Sequence, residues 1–394
     1  MSFILVTTIT WLFCIIAWRN NFRFGILPLC GSEKILVVFL AVISVLIELH
    51  KYKQIPYAVG IYTNGVAIFL SGIIINAACG IVFSYVWVDV VNLLRRIFAI
   101  SIVVVCLLPA SPAKEYYYES NLRHTGIFED PNTFGLLCVI AILISLQYLV
   151  HVLAKPAGSR DSGIIKKIVT GAVVIYLVML LAKSYSRGSW LSLIVAIIYG
   201  YTTDLRVVGV FSHVTNFVRS LSKSTKWKVI VLLTFFGLVY SCQSSGLWSR
   251  LATVCNPDDY SWSNRVRAWT LGIQMITDRP FTGFGWANAG VYYSGFYLPS
   301  YLIDHQAVYL NSFILLGITT GAMLPTVIAF YVIRVLRHRP KFRESNTDFS
   351  ITRVAVCAIS IGMLFDGGIL IWISSIVFWV LLAMAEHEIE LCII

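Results

Sequence analysis

Arg187, Arg265 and His305 are the side chains best suited to chemistry in this sequence, because each stands where polar and apolar segments meet. Arg187 lies in LLAKSYSRGSWLSLIVAII, at the junction of two apolar helices. An arginine this close to hydrocarbon is energetically costly and usually faces an anionic partner, although it can also extend to lipid headgroups. The compact turn, with Ser184 and Ser186 beside the arginine, favours an anion site.

The longest polar stretch between apolar segments covers residues 243–306. Within it, residues 263–278 are predicted to form an amphipathic helix, with Ser263 or Asn264 as its N-cap. We interpret the whole stretch as an extracytoplasmic loop that carries cationic and basic groups.

Arg265 is the unusual residue of this helix. The stripe that should turn inward holds one guanidinium among large apolar side chains: Trp262, Arg265, Trp269, Ile273 and Ile276. A stack of Arg265 on Trp269 would be structural, but it would also hold the guanidinium ready for a phosphate, which favours a function. Arg267 falls on the polar stripe and is predicted to be a solvated surface residue.

His305 follows Asp304 at the start of the next apolar helix, predicted over residues 306–332. Histidine can accept a proton near neutral pH, which suits a general base. Adjacent side chains diverge on a helix, so Asp304 need not orient it. By itself His305 would be an ordinary interfacial residue, whereas two arginines on the same side make it a candidate catalyst.

Two further segments contain weaker signals. In RHTGIFEDPNTFG, Asp130 or Asn132 is predicted to cap a helix with Pro131 in its first turn, and Arg123 is either a third anion contact or an exposed surface residue. In the second segment, residues 282–286, the Gly-x-Gly pair indicates only a tight turn or a close backbone approach.

The composition defines the class of protein. Apolar residues make up 58% of the chain and charged residues only 12%, against about 25% in a typical soluble domain. The mean hydropathy is +0.81. The net charge of +11 comes from short basic loops between apolar runs, which indicates a membrane protein rather than a nucleic-acid partner. We therefore predict an all-α integral membrane protein that forms one polytopic domain, residues 1–394.

About twelve segments approach the length of a transmembrane helix. They are residues 3–18, 35–50, 57–75, 77–93, 97–112, 132–153, 167–184, 189–203, 228–243, 307–333, 354–366 and 369–385. The first is interpreted as a retained helix rather than a signal peptide, because it has no basic n-region and no A-x-A-like cleavage site.

The lysines and arginines of the short loops predict the orientation, with both termini cytoplasmic. The outer side then receives residues 111–131, 184–188, 243–306 and 366–368, and every candidate site residue lies on this side, with Asn132 at the adjoining end of segment 132–153. The first hairpin fits poorly, because Arg19, Arg23 and Lys34 fall outside. Cys242 and Cys255 lie at or in the outer stretch and either form a disulfide there or remain free thiols.

The sequence has no P-loop, no HExxH, no GxSxG and no cysteine–histidine metal cluster. We therefore predict neither a metal nor a cofactor. An outer site with arginines and no nucleotide motif suggests a donor that arrives already activated.

Four stretches, in order, resemble the O-antigen ligase/polymerase superfamily of WaaL-like and Wzy-like envelope glycan enzymes. FEDPNTFGLL resembles its PN-x-x-G motif, KSYSRGSWLSLIVA its SRG turn, RVRAWTLGIQMITDRPFTGFG its R-x-x-x-W … P-x-x-G-x-G segment, and HQAVYLNSFILLGITTG its HN-x-YL … G helix. The spacing from His305 to Gly317 is one residue longer than in the family, with Ala307 as the apparent insertion. A helix that included residue 306 would be rotated there by about 100°.

The resemblance implies that Arg187 and Arg265 bind the diphosphate of an undecaprenyl-linked glycan, and that His305 acts on the acceptor hydroxyl. On this basis the catalytic residues are predicted to be His305, Arg265 and Arg187, and the substrate-binding residues Arg187, Arg265, Arg123, Trp269 and Asn132.

The acceptor would be lipid A-core or another saccharide, at the periplasmic face of the bacterial inner membrane. The main alternative is a Wzy-type polymerase. A lipid or solute transporter is the alternative from another class, and it would require ionisable residues at the bilayer midplane and internal symmetry.

Overall fold

The computed structural model describes residues 68–79, 88–108, 116–118, 121–128, 130–154, 164–203, 260–286, 288–299, 311–337 and 351–393. His305, Cys242, Cys255 and the first hairpin lie outside these residues. So do the predicted transmembrane segments 3–18, 35–50 and 228–243.

Helices form most of the described chain. In chain order they are α1 (Ile68–Cys79), α2 (Val88–Leu107), α3 (Pro131–Ala154), α4 (Ile164–Lys183), α5 (Arg187–Thr203), α6 (Tyr260–Asp278), α7 (Ala289–Tyr292), α8 (Ser312–Thr320), α9 (Met323–Arg337), α10 (Ile351–Gly362) and α11 (Trp372–Ile393). A π-helical turn, Tyr293–Tyr297, continues α7, and a 3₁₀ turn, Gly368–Leu370, precedes α11.

Helical residues account for 84% of the described chain, as an all-α fold requires. The exception is a short antiparallel hairpin, β1 (Tyr116–Tyr118) and β2 (Asn121–Arg123), in which Tyr116 pairs with Arg123. It lies in the predicted outer loop 111–131, where no strand was predicted. Tyrosine runs favour extended pairing, which accounts for the difference.

One described helical segment, Pro131–Leu149, is long and apolar enough to cross a membrane by those two criteria. Three shorter apolar helices are Ile68–Cys79, Ile351–Gly362 and Ile373–His387. The number of membrane crossings in the whole chain therefore stays a prediction.

Two predicted helix boundaries are wrong. Helix α2 runs without a break through Arg95 and Arg96, where the prediction ended one span and began another. Arginine is a good helix former and neither Gly nor Pro interrupts the run, so charge alone does not end this helix. Helix α1 likewise passes through Asn76, whose buried side chain donates to the carbonyl of Trp379 at 2.8 Å.

The described residues belong to two compact units. The second unit comprises Asn92–Ser263 and Lys341–Asp366. Within it, α5 and α10 lie antiparallel: Gly188 at the start of α5 faces Phe365 just after α10, and Tyr199 near the other end of α5 lies close to Arg353 near the start of α10. The turn before α5 therefore lies at the same end of this unit as the turn after α10.

The first unit comprises Met1–Val91, Asn264–Pro340 and Gly367–Ile394. Here α6 packs along α8 through two glycines. A Cβ on Gly272 would lie 2.5 Å from Ile314, and one on Gly317 would lie 2.5 Å from Ile276. The missing side chains let the two helices approach closely, because any larger residue would collide.

The single helix predicted over residues 306–332 is wrong at two places. It begins only at Ser312, where extended Asn311 caps it by accepting from the amides of Phe313 and Ile314, each at 3.0 Å. It then breaks at Gly321, whose φ of +86° is unfavourable for residues with a side chain.

The turn formed by residues 280–285 seals this break. The amides of Phe284 and Gly285 donate to the carbonyls of Ile318 and Thr319 at 2.7 and 3.0 Å, and the amide of Ala322 donates to the carbonyl of Pro280 at 2.7 Å. The carbonyls of Ile318 and Thr319 belong to the last turn of α8, where no intrahelical donor exists. We call this set of bonds the α8 seal.

A buried carboxylate joins α9 to α11 in the same unit. Glu386 is only 5% exposed, accepts a hydrogen bond from the hydroxyl of Tyr331, and forms an ion pair with Arg334 at 3.0 Å. Breaking such a pair by removing one partner is costly, because it leaves an uncompensated buried charge.

Replacing Gly283 with alanine should destabilise the first unit. Its φ is +59°, and a Cβ would lie 2.5 Å from the backbone of Thr319. We expect a loss of about 3 kcal/mol, because the substitution combines strain with a backbone clash. Thermal unfolding of Gly283→Ala against Gly295→Ala tests this, since a Cβ at Gly295 meets nothing within 4 Å. Equal melting temperatures for the two variants would contradict the seal.

Candidate functional site

Arg187 is the first residue of α5 and follows a tight turn. The turn closes through Tyr185, which adopts a φ of +53°. The hydroxyl of Ser184 accepts the amide of Ser186 at 3.2 Å, and the hydroxyls of Ser186 and Ser189 lie 2.9 Å apart. The predicted turn at residues 184–188 is therefore present but shorter, since only residues 184–186 lie between α4 and α5, and serine hydroxyls stabilise it.

Arg123 binds this turn and is only partly exposed. Its Nε donates to the carbonyl of Ser184 at 2.9 Å, and its Nη2 donates to Oδ1 of Asn132 at 3.1 Å. The guanidinium thus ties β2, the start of α3 and the turn before Arg187 into one structure. Two residues predicted to bind substrate, Arg123 and Asn132, contact each other.

The predicted helix cap at this point is confirmed for one of its two alternatives. The carboxylate of Asp130 accepts the amide of Thr133 at 2.7 Å, and Pro131 begins α3. Asn132 is not the cap, because it lies inside the helix and its side chain accepts from Arg123.

Gly135 brings the first two motifs into contact. A Cβ at this position would lie 2.8 Å from the hydroxyls of both Ser184 and Ser189. The PN-x-x-G and SRG stretches, about fifty residues apart in sequence, are therefore neighbours within the second unit. Gly188 of the SRG stretch makes a similarly close approach to Phe365.

Arg265 and Trp269 lie on α6, in the first unit, and the predicted inward face of that helix is largely wrong, although Ile276 does pack against Gly317 of α8. The buried residues are Asn264, Ala268 and Met275, together with Gly272. Ile273, predicted to face inward, is 55% exposed. A shift of one position corresponds to a rotation of about 100°.

The error has a physical cause. The close approach to α8 requires small residues, so the packed face follows Ala268 and Gly272 rather than the large aromatic side chains. The predicted cap is also wrong, because α6 already includes Tyr260, and Ser263 and Asn264 are internal. Arg265 and Trp269 are consequently half-buried at the edge of the packed face.

The predicted stack of Arg265 on Trp269 is not among the cation–π contacts of the described residues. Those contacts place Arg279 over the rings of Phe284 and Tyr292, at 4.6 and 5.6 Å, and Arg334 over Tyr331 at 5.6 Å. The sequence reasoning missed Arg279, which stands between Asp278 and Pro280.

Arg279 belongs to a cleft of about 560 Å³ at the end of α6, which we call the aromatic cleft. Its lining residues are Gln274, Asp278, Arg279, Phe284, Tyr292, Phe296 and Tyr297. The signal that identifies it in the sequence is YYSGFY, residues 292–297, an aromatic run inside an otherwise polar stretch.

Two titratable groups near these sites have shifted pKa values. Burial, with the nearby charge of Lys183, lowers the pKa of His124, whose ring packs edge-on against Phe134 at 5.1 Å. Partial burial, with the hydrogen bond that its hydroxyl donates to Asp278, raises the pKa of Tyr297 to about 12. Both residues are therefore neutral at pH 7.

The described residues contain no group of three His, Cys, Asp or Glu side chains that could hold a metal ion. Comparison with known proteins adds no assignment: no family model matches the chain, and no curated protein matches it.

Arg123→Lys should destabilise the protein nearly as much as Arg123→Ala. A single ammonium cannot reproduce two hydrogen bonds to acceptors on separate segments, and we expect a loss of about 1–3 kcal/mol for each variant. Thermal unfolding checks this, with exposed Arg96→Ala as the control. A lysine variant with the same melting temperature as the wild type would contradict this bridging role.

Stability should also fall in mild acid because of His124. Its pKa is lowered in the folded protein, so the unfolded chain binds a proton more readily. The contribution is complete above the ordinary value of about 6.5 and is lost as the pH falls through the lowered folded value. Melting temperatures from pH 8 to 5.5 should fall further for the wild type than for His124→Gln. Parallel curves would contradict this assignment.

Proposed function

We propose that the protein is an O-antigen ligase-like glycosyltransferase of the bacterial inner membrane. It transfers a glycan from an undecaprenyl-diphosphate donor to a hydroxyl of lipid A-core or of another saccharide at the periplasmic face. The observation that carries the proposal is the series of four stretches that resemble the motifs of one enzyme family, in the same order, along residues 120–330.

The packing of these motifs supports the proposal. In the second unit, Gly135 of the PN-x-x-G stretch contacts the serines of the SRG turn. In the first unit, Gly283 of the P-x-x-G-x-G stretch contacts the end of α8, which belongs to the fourth motif. Each pair is distant in sequence, so chance similarity gives no reason for the matched stretches to meet.

A membrane location is supported by apolar helices and by the placement of turns. Helix α3 contains a segment of spanning length, and many large apolar side chains of the described helices are exposed, such as Ile168 at 63%. In the second unit the Ser184 turn, Arg123 and Asn132 lie together, as their predicted common side requires. Exposed apolar side chains on helices suit a lipid environment.

The proposed chemistry explains why arginine is used. A guanidinium matches two phosphate oxygens at once and stabilises the diphosphate leaving group as its charge develops. Arg187 begins α5 at the serine-held turn, and Arg265 lies on α6. His305 would take the proton of the acceptor hydroxyl, a contribution of typically about 10²–10⁴-fold.

One observation on α8 bears on the histidine. Asn311 is extended, so the helix does not continue in register back to residue 306. The rotation of about 100° applies to a helix that continues from residue 306 into α8, and α8 does not continue in that way beyond Asn311. Its role as the acceptor base remains part of the proposal.

A Wzy-type polymerase is the second candidate, favoured by the longer spacing between His305 and Gly317. It would use the same two arginines and leave the histidine dispensable. Gels of the cellular glycan separate the two activities. A ligase defect leaves full-length glycan unattached, whereas a polymerase defect leaves single repeats on the core.

The test uses Arg187→Ala, Arg265→Ala and His305→Ala in a strain deleted for the gene. We expect each arginine variant to lose at least about 100-fold of glycan transfer, as for the loss of one charge-stabilising donor. Arg187→Ala/Arg265→Ala should lose less than the sum of the single effects in free energy, because both act on one diphosphate.

Arg267→Ala is the matched control, two positions from Arg265 on the same helix, and should retain near-normal transfer. Full transfer by either Arg187→Ala or Arg265→Ala would reject the proposed enzyme. Loss of activity in both arginine variants, together with full activity of His305→Ala, would favour the polymerase.

A further inference from the structure

We propose that the aromatic cleft is a saccharide-binding subsite that holds a neutral pyranose residue of a glycan. Its identification as part of a glycosyltransferase rests on the proposed function, but the binding itself does not. The cleft lies entirely within the first unit, and its volume of about 560 Å³ falls in the usual range for small-molecule sites.

The floor of the cleft is aromatic. Phe284 is 4% exposed, and its ring lies 4.8 Å from that of Tyr292 and 6.0 Å from that of Tyr297. Tyr292 in turn stacks on Phe296 at 5.4 Å, with an interplanar angle of 29°. Phe296 is 75% exposed, so an apolar ring face remains open to a ligand.

The rim of the cleft is polar and carries both signs of charge. Arg279 offers N–H donors above the aromatic floor, and no hydrogen bond or ion pair to another described residue occupies its guanidinium. Gln274 and Asp278 add acceptor oxygens, and the hydroxyl of Tyr297 donates to Asp278. The two formal charges cancel, so the rim has no net preference for an anion.

This combination fits a pyranose better than a lipid tail or a phosphate. A sugar ring has an apolar C–H face that can stack on the exposed ring of Phe296, and a rim of hydroxyls that both donate and accept. An acyl chain would leave Gln274, Asp278 and Arg279 without ligand hydrogen bonds. A phosphate would be attracted by Arg279 but repelled by the carboxylate of Asp278 beside it.

The π-helical turn Tyr293–Tyr297 shapes the site. The amide of Leu298 donates to the carbonyl of Tyr293 at 2.8 Å, which is an i→i+5 bond. Such turns are rare and are often found at functional sites. Here the wide turn places Phe296 and Tyr297 on the side that also holds Tyr292, facing Arg279 and Phe284.

The cleft is separate from the proposed diphosphate contact on the same helix. Asp278 lies thirteen residues beyond Arg265 along α6, a distance of about 20 Å at 1.5 Å per residue. The cleft would therefore hold a sugar residue remote from the reacting bond. Binding energy from such remote groups serves to position the substrate during transfer.

The test measures binding directly, with full-length protein in lipid nanodiscs that contain no sugar detergent. The probe is the oligosaccharide released by mild acid from the surface glycan of the strain that carries the gene, observed by saturation-transfer difference NMR. The wild type should transfer saturation to the ring protons of the probe. Phe296→Ala should weaken binding about five-fold, the size expected for one aromatic contact.

Phe281→Ala is the matched control. Phe281 is 65% exposed on the turn of residues 280–285, which also holds Phe284, but it does not line the cleft. Its variant should therefore bind the probe like the wild type. Arg279→Gln should also weaken binding, whereas Arg337→Gln, an exposed arginine on α9, should not. The absence of saturation transfer from the wild type to the probe, or equal affinities for Phe296→Ala and Phe281→Ala, would overturn the proposal.

Arg265→Ala separates this inference from the proposed function. It should bind the probe normally, because its side chain is remote from the cleft, and yet lose glycan transfer in cells. Normal transfer by Arg265→Ala with sugar binding that depends on Phe296 would reject the enzyme and keep the subsite. Loss of transfer by Arg265→Ala, together with probe binding that does not depend on Phe296, would keep the enzyme and reject the subsite.

Discussion

The α8 seal is the interaction on which the first unit depends. Helix α8 ends at Thr320, and its last carbonyls have no donors from their own helix. Phe284 and Gly285 supply two donors, and Ala322 returns a bond to Pro280. In an apolar environment an unpaired peptide group costs several kcal/mol, so a helix can break there only where another backbone replaces the lost bonds.

This requirement connects features that are separate in the sequence. Positive φ values at Gly283, Gly285 and Gly321 occur where the two backbones meet. Gly272 and Gly317 bring α6 and α8 together just before the seal. The turn that results begins at Arg279 and holds Phe284 under the guanidinium, so the seal also fixes the floor of the aromatic cleft.

The sequence predicts those elements whose signals are local. Asp130 before Pro131 identified the start of α3, and the SRG turn separates α4 from α5 as expected. The sequence-based prediction is wrong where tertiary packing determines the structure. The buried face of α6 is the one whose small residues fit against α8. Hydrophobic spacing alone selects a face with large apolar residues, and so it predicted a different one. The role of Arg123 depends on acceptors in distant segments, and the cleft on a π-helical turn, neither of which periodicity can reveal.

The seal also constrains how the protein is made. Residues 280–285 leave the ribosome almost forty residues before Gly321 follows, and only then do the amides of Phe284 and Gly285 meet their carbonyl partners. During translation this segment must therefore keep its peptide groups hydrated until α8 emerges. Folding of the first unit therefore does not proceed strictly helix by helix, because residues 280–285 find their partners only when α8 has been made, and α9 and α11 join after that.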